Sequence, residues 1–259
     1  MNMRLTMIQR MILSASNMPT PDDTADYNQP TTALLLPAFT LVSNLQPSNV
    51  PLLLNSLLPL APTTISPLTP YSIPPTLNSP TDSSIPPLHT KPCPHSAVIL
   101  LCSQRTRDAR CGQSAPLLRK EFERILRPMG LHRDLHDERP GGVGIYFVSH
   151  VGGHKYSANV LVYRRRNAFG QDEPVELPNG DSEAEHKNGD VKEVKNGDSS
   201  ENGEDGKELE GAAQCIWLAR VFPEDCENLI RYTVLKGKVV KPERQLRGGF
   251  DRARGVMSW

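Results

Sequence analysis

Apolar positions in this chain are bunched, and the bunching predicts where regular structure forms. From Ser96 onward, short apolar runs alternate with polar turns. "SAVILL" is rich in β-branched residues and reads as a buried strand ending at Cys102. A polar, basic loop follows from Ser103 to Gly112. Ser114 then has the chemistry of a helix N-cap, with Pro116 in the first turn. Leu117, Leu118, Phe122, Ile125 and Leu126 fall at helical spacing, and Gly130 closes the helix. "DERPGG" is a turn, "VGIYFVS" a second strand and "YSANVLVYRRR" a third. "AQCIWLARVF" predicts a fourth strand. Pro223 opens a helix whose apolar stripe is Cys226, Leu229, Ile230, Val234 and Leu235, and Gly237 ends it.

The order β-α-β-β-β-α predicts an α/β fold: a four-stranded mixed sheet with flanking helices on the thioredoxin-like plan, spanning 95–170 and 212–247. Seventeen of the 24 prolines lie between Pro19 and Pro94. Region 1–94 therefore reads as low-complexity and disordered, with one apolar segment over 32–60 and a Pro, Ser and Thr-rich tether over 61–94. Between Gln171 and Gly211 there are fourteen acidic residues against four lysines, with a repeated Asn-Gly-Asp. That stretch, 171–211, predicts a disordered acidic insertion. Residues 248–259 are expected to be a tail, with the Gly-Gly pair at 248 a turn.

The net charge is zero, so outside the acidic stretch the chain carries an equal positive excess. No apolar run of about 18 residues exists, so no membrane span is expected. Five cysteines and no secretory signal argue for a reducing compartment, where cysteine binds metal or does redox work. The first 21 residues carry Arg4 and Arg10, no acid, and Leu5, Ile8 and Ile12 on one helical face, as a mitochondrial transit peptide would.

Chemistry concentrates in two spacings. Cys102 and Cys111 form C-x8-C, and His150 and His154 form H-x3-H across "HVGGH". Each pair follows an apolar strand. If the first two strands are neighbours, both loops leave the same sheet edge, and two thiolates and two imidazoles converge. Such a donor set suits zinc or a [2Fe–2S] cluster. The cysteines are too far apart for the usual zinc finger, and a wide loop favours the larger cluster. Neutral imidazoles in place of thiolates raise the expected reduction potential and tie it to pH. A dithiol acting without a cluster, or a zinc-stabilised module, remains an alternative. Cys93, Cys215 and Cys226 are expected to be structural. His132 and His136 are expected in a solvated turn.

The stretches "LLCSQRTRDARCGQSAPLL" and "GIYFVSHVGGHKYSANVLVYRR" resemble the sucrase/ferredoxin-like family. That resemblance implies a thioredoxin-like ferredoxin holding a [2Fe–2S] cluster through Cys102, Cys111, His150 and His154. It implies electron transfer rather than catalysis. No nucleophile–base pair, phosphate loop or paired carboxylates point to an enzyme. Arg105, Arg107, Arg110 and Lys155 would form a basic face for a redox partner protein. No nucleic acid is expected. Met257, Ser258 and Trp259 resemble the C-terminal tripeptide by which clients of the cytosolic iron–sulfur assembly machinery are recognised. That signal favours a cytoplasmic location, whereas the N-terminus points to the mitochondrion.

Overall fold

The computed structural model describes residues 11–21, 23, 24, 26, 28–151, 155–173 and 210–256. Two sheets organise them. The first contains β1 (Thr31–Leu35), β2 (Thr40–Leu45), β3 (Thr76–Leu77) and β4 (Leu88–Pro92), in the order β1-β2-β4-β3 and antiparallel throughout. Val42, Leu52, Leu57, Ile73, Leu77 and Leu88 bury a small core against it, with helical turns over 47–60 as a lid.

The second sheet is mixed and six-stranded. It contains β5 (Ala97–Cys102), β6 (His132–Arg133), β7 (Val143–Val148), β8 (Val160–Arg164), β9 (Gln214–Leu218) and β10 (Leu246–Asp251), in the order β10-β9-β8-β5-β7-β6. Central β5 is parallel to β7 and antiparallel to β8. Its side chains alternate between two cores. Ala97, Ile99 and Leu101 face the long helix (Ala109–Leu126), against Ala115, Leu118, Phe122 and Leu126. Val98 and Leu100 face the other side, where Phe39, Cys93, Tyr146 and Phe250 gather. Both faces are covered, which is why "AVILL" is continuously apolar.

A second helical segment runs through Pro223–Asp225, Cys226–Asn228 and Leu229–Val234. The buried Arg164 guanidinium closes its end, donating to the Val234 and Leu235 carbonyls at 3.0 and 3.1 Å. It also pairs with Asp172.

The α/β class and the four expected strands stand, but several expectations are corrected. The main sheet has six strands, because β6 and β10 add to its edges. The Gly-Gly pair at 248 lies within β10 rather than in a turn, opposite Trp217 and Ile216 of β9. The Pro-rich stretch 61–94 is not a free tether: β3 and β4 lie in it. Prolines there bound the strands rather than abolish them, since Pro92 ends β4. The helix starts at Ala109, not near Ser114, because Asp108 caps it by accepting the Arg110 N–H at 3.0 Å. His132 is buried in β6, with Glu123 and Asp134 near its ring. Residues 174–209 of the expected acidic insertion 171–211, and the Met257-Ser258-Trp259 tripeptide, lie outside the described residues.

Candidate functional site

Register fixes the site. β5 and β7 run parallel with Cys102 opposite Val148, so the chain leaves both strands at one edge. From β5 it enters the loop to the helix; from β7 it enters Ser149 and His150. Ser103 N–H bonds the Val148 carbonyl at 2.9 Å and Cys102 N–H bonds the Asn159 carbonyl at 3.1 Å, tying the β7 and β8 ends to the cysteine.

The eight residues between the cysteines form a tight return. Asp108 starts the helix and places buried Cys111 in its first turn. The return is close enough that Gly112 is obligatory. A Cβ there would stand 2.6 and 2.7 Å from Arg105 Cβ and Cα. The wide C-x8-C spacing thus ends with the two thiols side by side. Cys102 interacts with the Cys111 side chain, and both remain free thiols. Burial, the neighbouring Cys111 and then Asp108 push the Cys102 thiol up to about 12. Two buried sulfurs with a carboxylate beside them disfavour negative charge, and a bound cationic group would reverse that balance.

Cys102, Cys111 and His150 line one cleft with Asp108, Tyr156 and Asn159. Val148 and Val151 pack against the cysteines, with Trp217 at the margin. Asn159 Oδ1 accepts the Trp217 indole N–H at 3.0 Å. Ser149 Oγ lies 3.4 Å from His150 Nδ1, leaving Nε2 as the nitrogen for a ligand.

An unexpected segment supports this loop. Ser16 pairs with Val148, Ser149 N–H donates to the Ala15 carbonyl at 2.7 Å, and Ala15 N–H donates to Ser149 Oγ at 3.1 Å. Ser14 donates to the His150 carbonyl. Asn17 Oδ1 accepts the Phe147 N–H at 2.8 Å.

Three of the four expected ligands therefore share one cleft, and His154 lies outside the described residues. Among the described residues no three His, Cys, Asp or Glu side chains converge as a metal-ion site. The donor types still fit a soft metal or an iron–sulfur cluster: two adjacent sulfurs and an imidazole with one nitrogen committed elsewhere. Sequence reasoning missed Asp108, Ser149 and Asn159. Asp108 had a local signal, an acid three residues before Cys111, and Ser149 adjoins His150 in sequence; Asn159 acts through long-range contacts. Arg105, Arg107, Arg110 and Lys155 are exposed around the cleft, with Arg110 paired to Asp108.

The sequence profile of the sucrase/ferredoxin-like family matches residues 2–248. The chain belongs to this family. Within it, "Actin patches distal protein 1" of Saccharomyces cerevisiae is 54% identical over 69 residues, 27% of this chain and 22% of the relative. "Altered inheritance of mitochondria protein 32" of Clavispora lusitaniae is 28% identical over 147 residues, 57% of this chain and 33% of the relative. The protein of that name in Kluyveromyces lactis is 35% identical over 82 residues, 32% of this chain and 21% of the relative. This sucrase/ferredoxin-like chain matches no more than about a third of the length of these relatives. No solved structure matches it. Among the described residues no helix is long and apolar enough to cross a membrane.

Proposed function

We propose that this chain is an electron-transfer protein that holds a [2Fe–2S] cluster through Cys102, Cys111, His150 and His154. The observation that carries the reading is the in-register parallel pairing of β5 and β7, which brings both cysteines and His150 to one cleft. Family membership supports it. The arrangement also supports a thioredoxin-like plan for the core, with its first cysteine where the first strand gives way to a helix.

When bound, the cluster would supply one-electron chemistry between iron oxidation states. The chain's residues set its surroundings. Cys102 and Cys111 supply the thiolates, and Val148 and Val151 exclude water from them. Ser149 holds Nδ1 of His150, so Nε2 is presented. Exposed arginines around the cleft suit an acidic redox partner.

A second reading has one observation in its favour. The Cys102 and Cys111 side chains interact as neighbouring free thiols, the pair a thiol-redox protein would cycle. Iron and acid-labile sulfide counts on anaerobically prepared protein separate the two. The cluster reading expects two of each per chain, lost in Cys102→Ser and Cys111→Ser and lowered in His150→Ala. Metal-free wild type whose thiols cycle to a disulfide would overturn it.

A further inference from the structure

Beside the cysteine cleft lies a second, larger one of about 290 Å³, between the long helix and the turn leading to the second helical segment. Leu117 on the helix and Phe222 on the turn line it, and both are solvent-facing, at 56% and 44% exposure. Arg110 and Arg220 stand at its walls. Arg244 stacks on the Phe222 ring at 5.5 Å. Arg220 and Arg247 both stack on Tyr156, at 4.6 and 4.1 Å, and Tyr156 lines the cysteine cleft.

Arg220, Arg244 and Arg247 form no ion pair with any described residue; aromatic rings hold all three, and Arg247 also donates to the Leu246 and Arg244 carbonyls. Elsewhere, exposed arginines such as Arg124, Arg139 and Arg231 each have a carboxylate partner. Glu224 and Glu243 sit on the adjoining turns without pairing to the three. Stacking on a ring fixes the Arg220 and Arg244 guanidiniums and leaves their N–H edges for a carboxylate, whereas Arg247 already spends both terminal nitrogens on carbonyls. Two exposed apolar side chains between such cations make an apolar centre with a basic rim, the anatomy of a recognition surface.

We propose that this cleft is a docking site for an acidic protein segment that inserts one large apolar side chain between Leu117 and Phe222. Arg220 and Arg244 then receive the flanking carboxylates. The charge complement argues for this occupant: a neutral or basic segment would leave the fixed Arg220 and Arg244 guanidiniums without a carboxylate partner. Docking here sets the partner against Tyr156, at the wall of the cysteine cleft. The proposal does not depend on what the cysteines bind.

The test is fluorescence anisotropy with the dye-labelled peptide Glu-Glu-Phe-Glu-Glu and the full chain. Binding is expected to weaken with salt, since the contacts are exposed ion pairs. Replacing the peptide's Phe by Ala should weaken it about fivefold, and the variants Arg244→Glu and Leu117→Glu about tenfold each. Both substituted side chains are exposed, and a circular dichroism melt checks that the variants fold. Arg139→Glu, on another surface, should bind like wild type. No binding above that of a Gly-Ser peptide, or equal losses in Arg139→Glu and Arg244→Glu, would overturn the proposal.

Discussion

Gly112 decides whether the cysteine loop can close. Its absent Cβ makes room for the Arg105 backbone, which no rotamer change can move aside. Gly112→Ala should cost about 1–3 kcal/mol in urea unfolding, as overpacking does, and lower metal retention with it. His95 acts through charge instead. Its ring packs on Gly144, its Nε2 lies 3.0 Å from the Tyr146 hydroxyl, and its buried Nδ1 has no partner. Burial first, then Arg133 and Arg165, hold it down at about 4, with Asp137 opposing. The folded state therefore refuses a proton that the unfolded chain accepts near 6.5. Stability from this residue is full above that value and is lost as pH falls from 6.5 towards 4. Between pH 7 and 5 wild type should lose about 2 kcal/mol more than His95→Asn. Equal pH slopes in the two proteins would contradict this assignment.

At the scale of elements, β6 is too short to cover β7. It pairs only with Val143 and Gly144, so the far half of β7 would be an open edge next to the ligand loop. Residues 14–17 fill that edge by pairing with Phe147, Val148 and Ser149. Deleting residues 1–17 should speed amide exchange at Phe147 and Ser149, lower the melting temperature by a few degrees and reduce iron retention. Unchanged exchange would show that the edge needs no cover. The same contrast explains what was legible beforehand. Strands β5, β7, β8 and β9 announce themselves because burial makes them apolar runs. β6 has two residues, β10 contains Gly-Gly, and β3 and β4 sit among prolines; partners define these strands, not their own sequence. Cys102 and His150 could be placed together because strand ends share an edge. The supports from Asn159 and residues 14–17 could not, because contacts between residues 57 to 136 positions apart leave no periodic trace.

Across the whole molecule, the sheet, the helix start and the N-terminal segment all constrain one cleft, with a basic, partly apolar surface beside it. Family membership fits that concentration of structure around two cysteines and a histidine. The central claim is that these residues and His154 hold a two-iron cluster. Its most direct test is the anaerobic absorption spectrum of wild type and His154→Cys, with iron and sulfide counted on the same samples. The account predicts red-brown protein with two irons and two sulfides per chain, and bands displaced by the substitution. Colourless protein that binds one zinc, or that takes up no metal on anaerobic reconstitution, would contradict it.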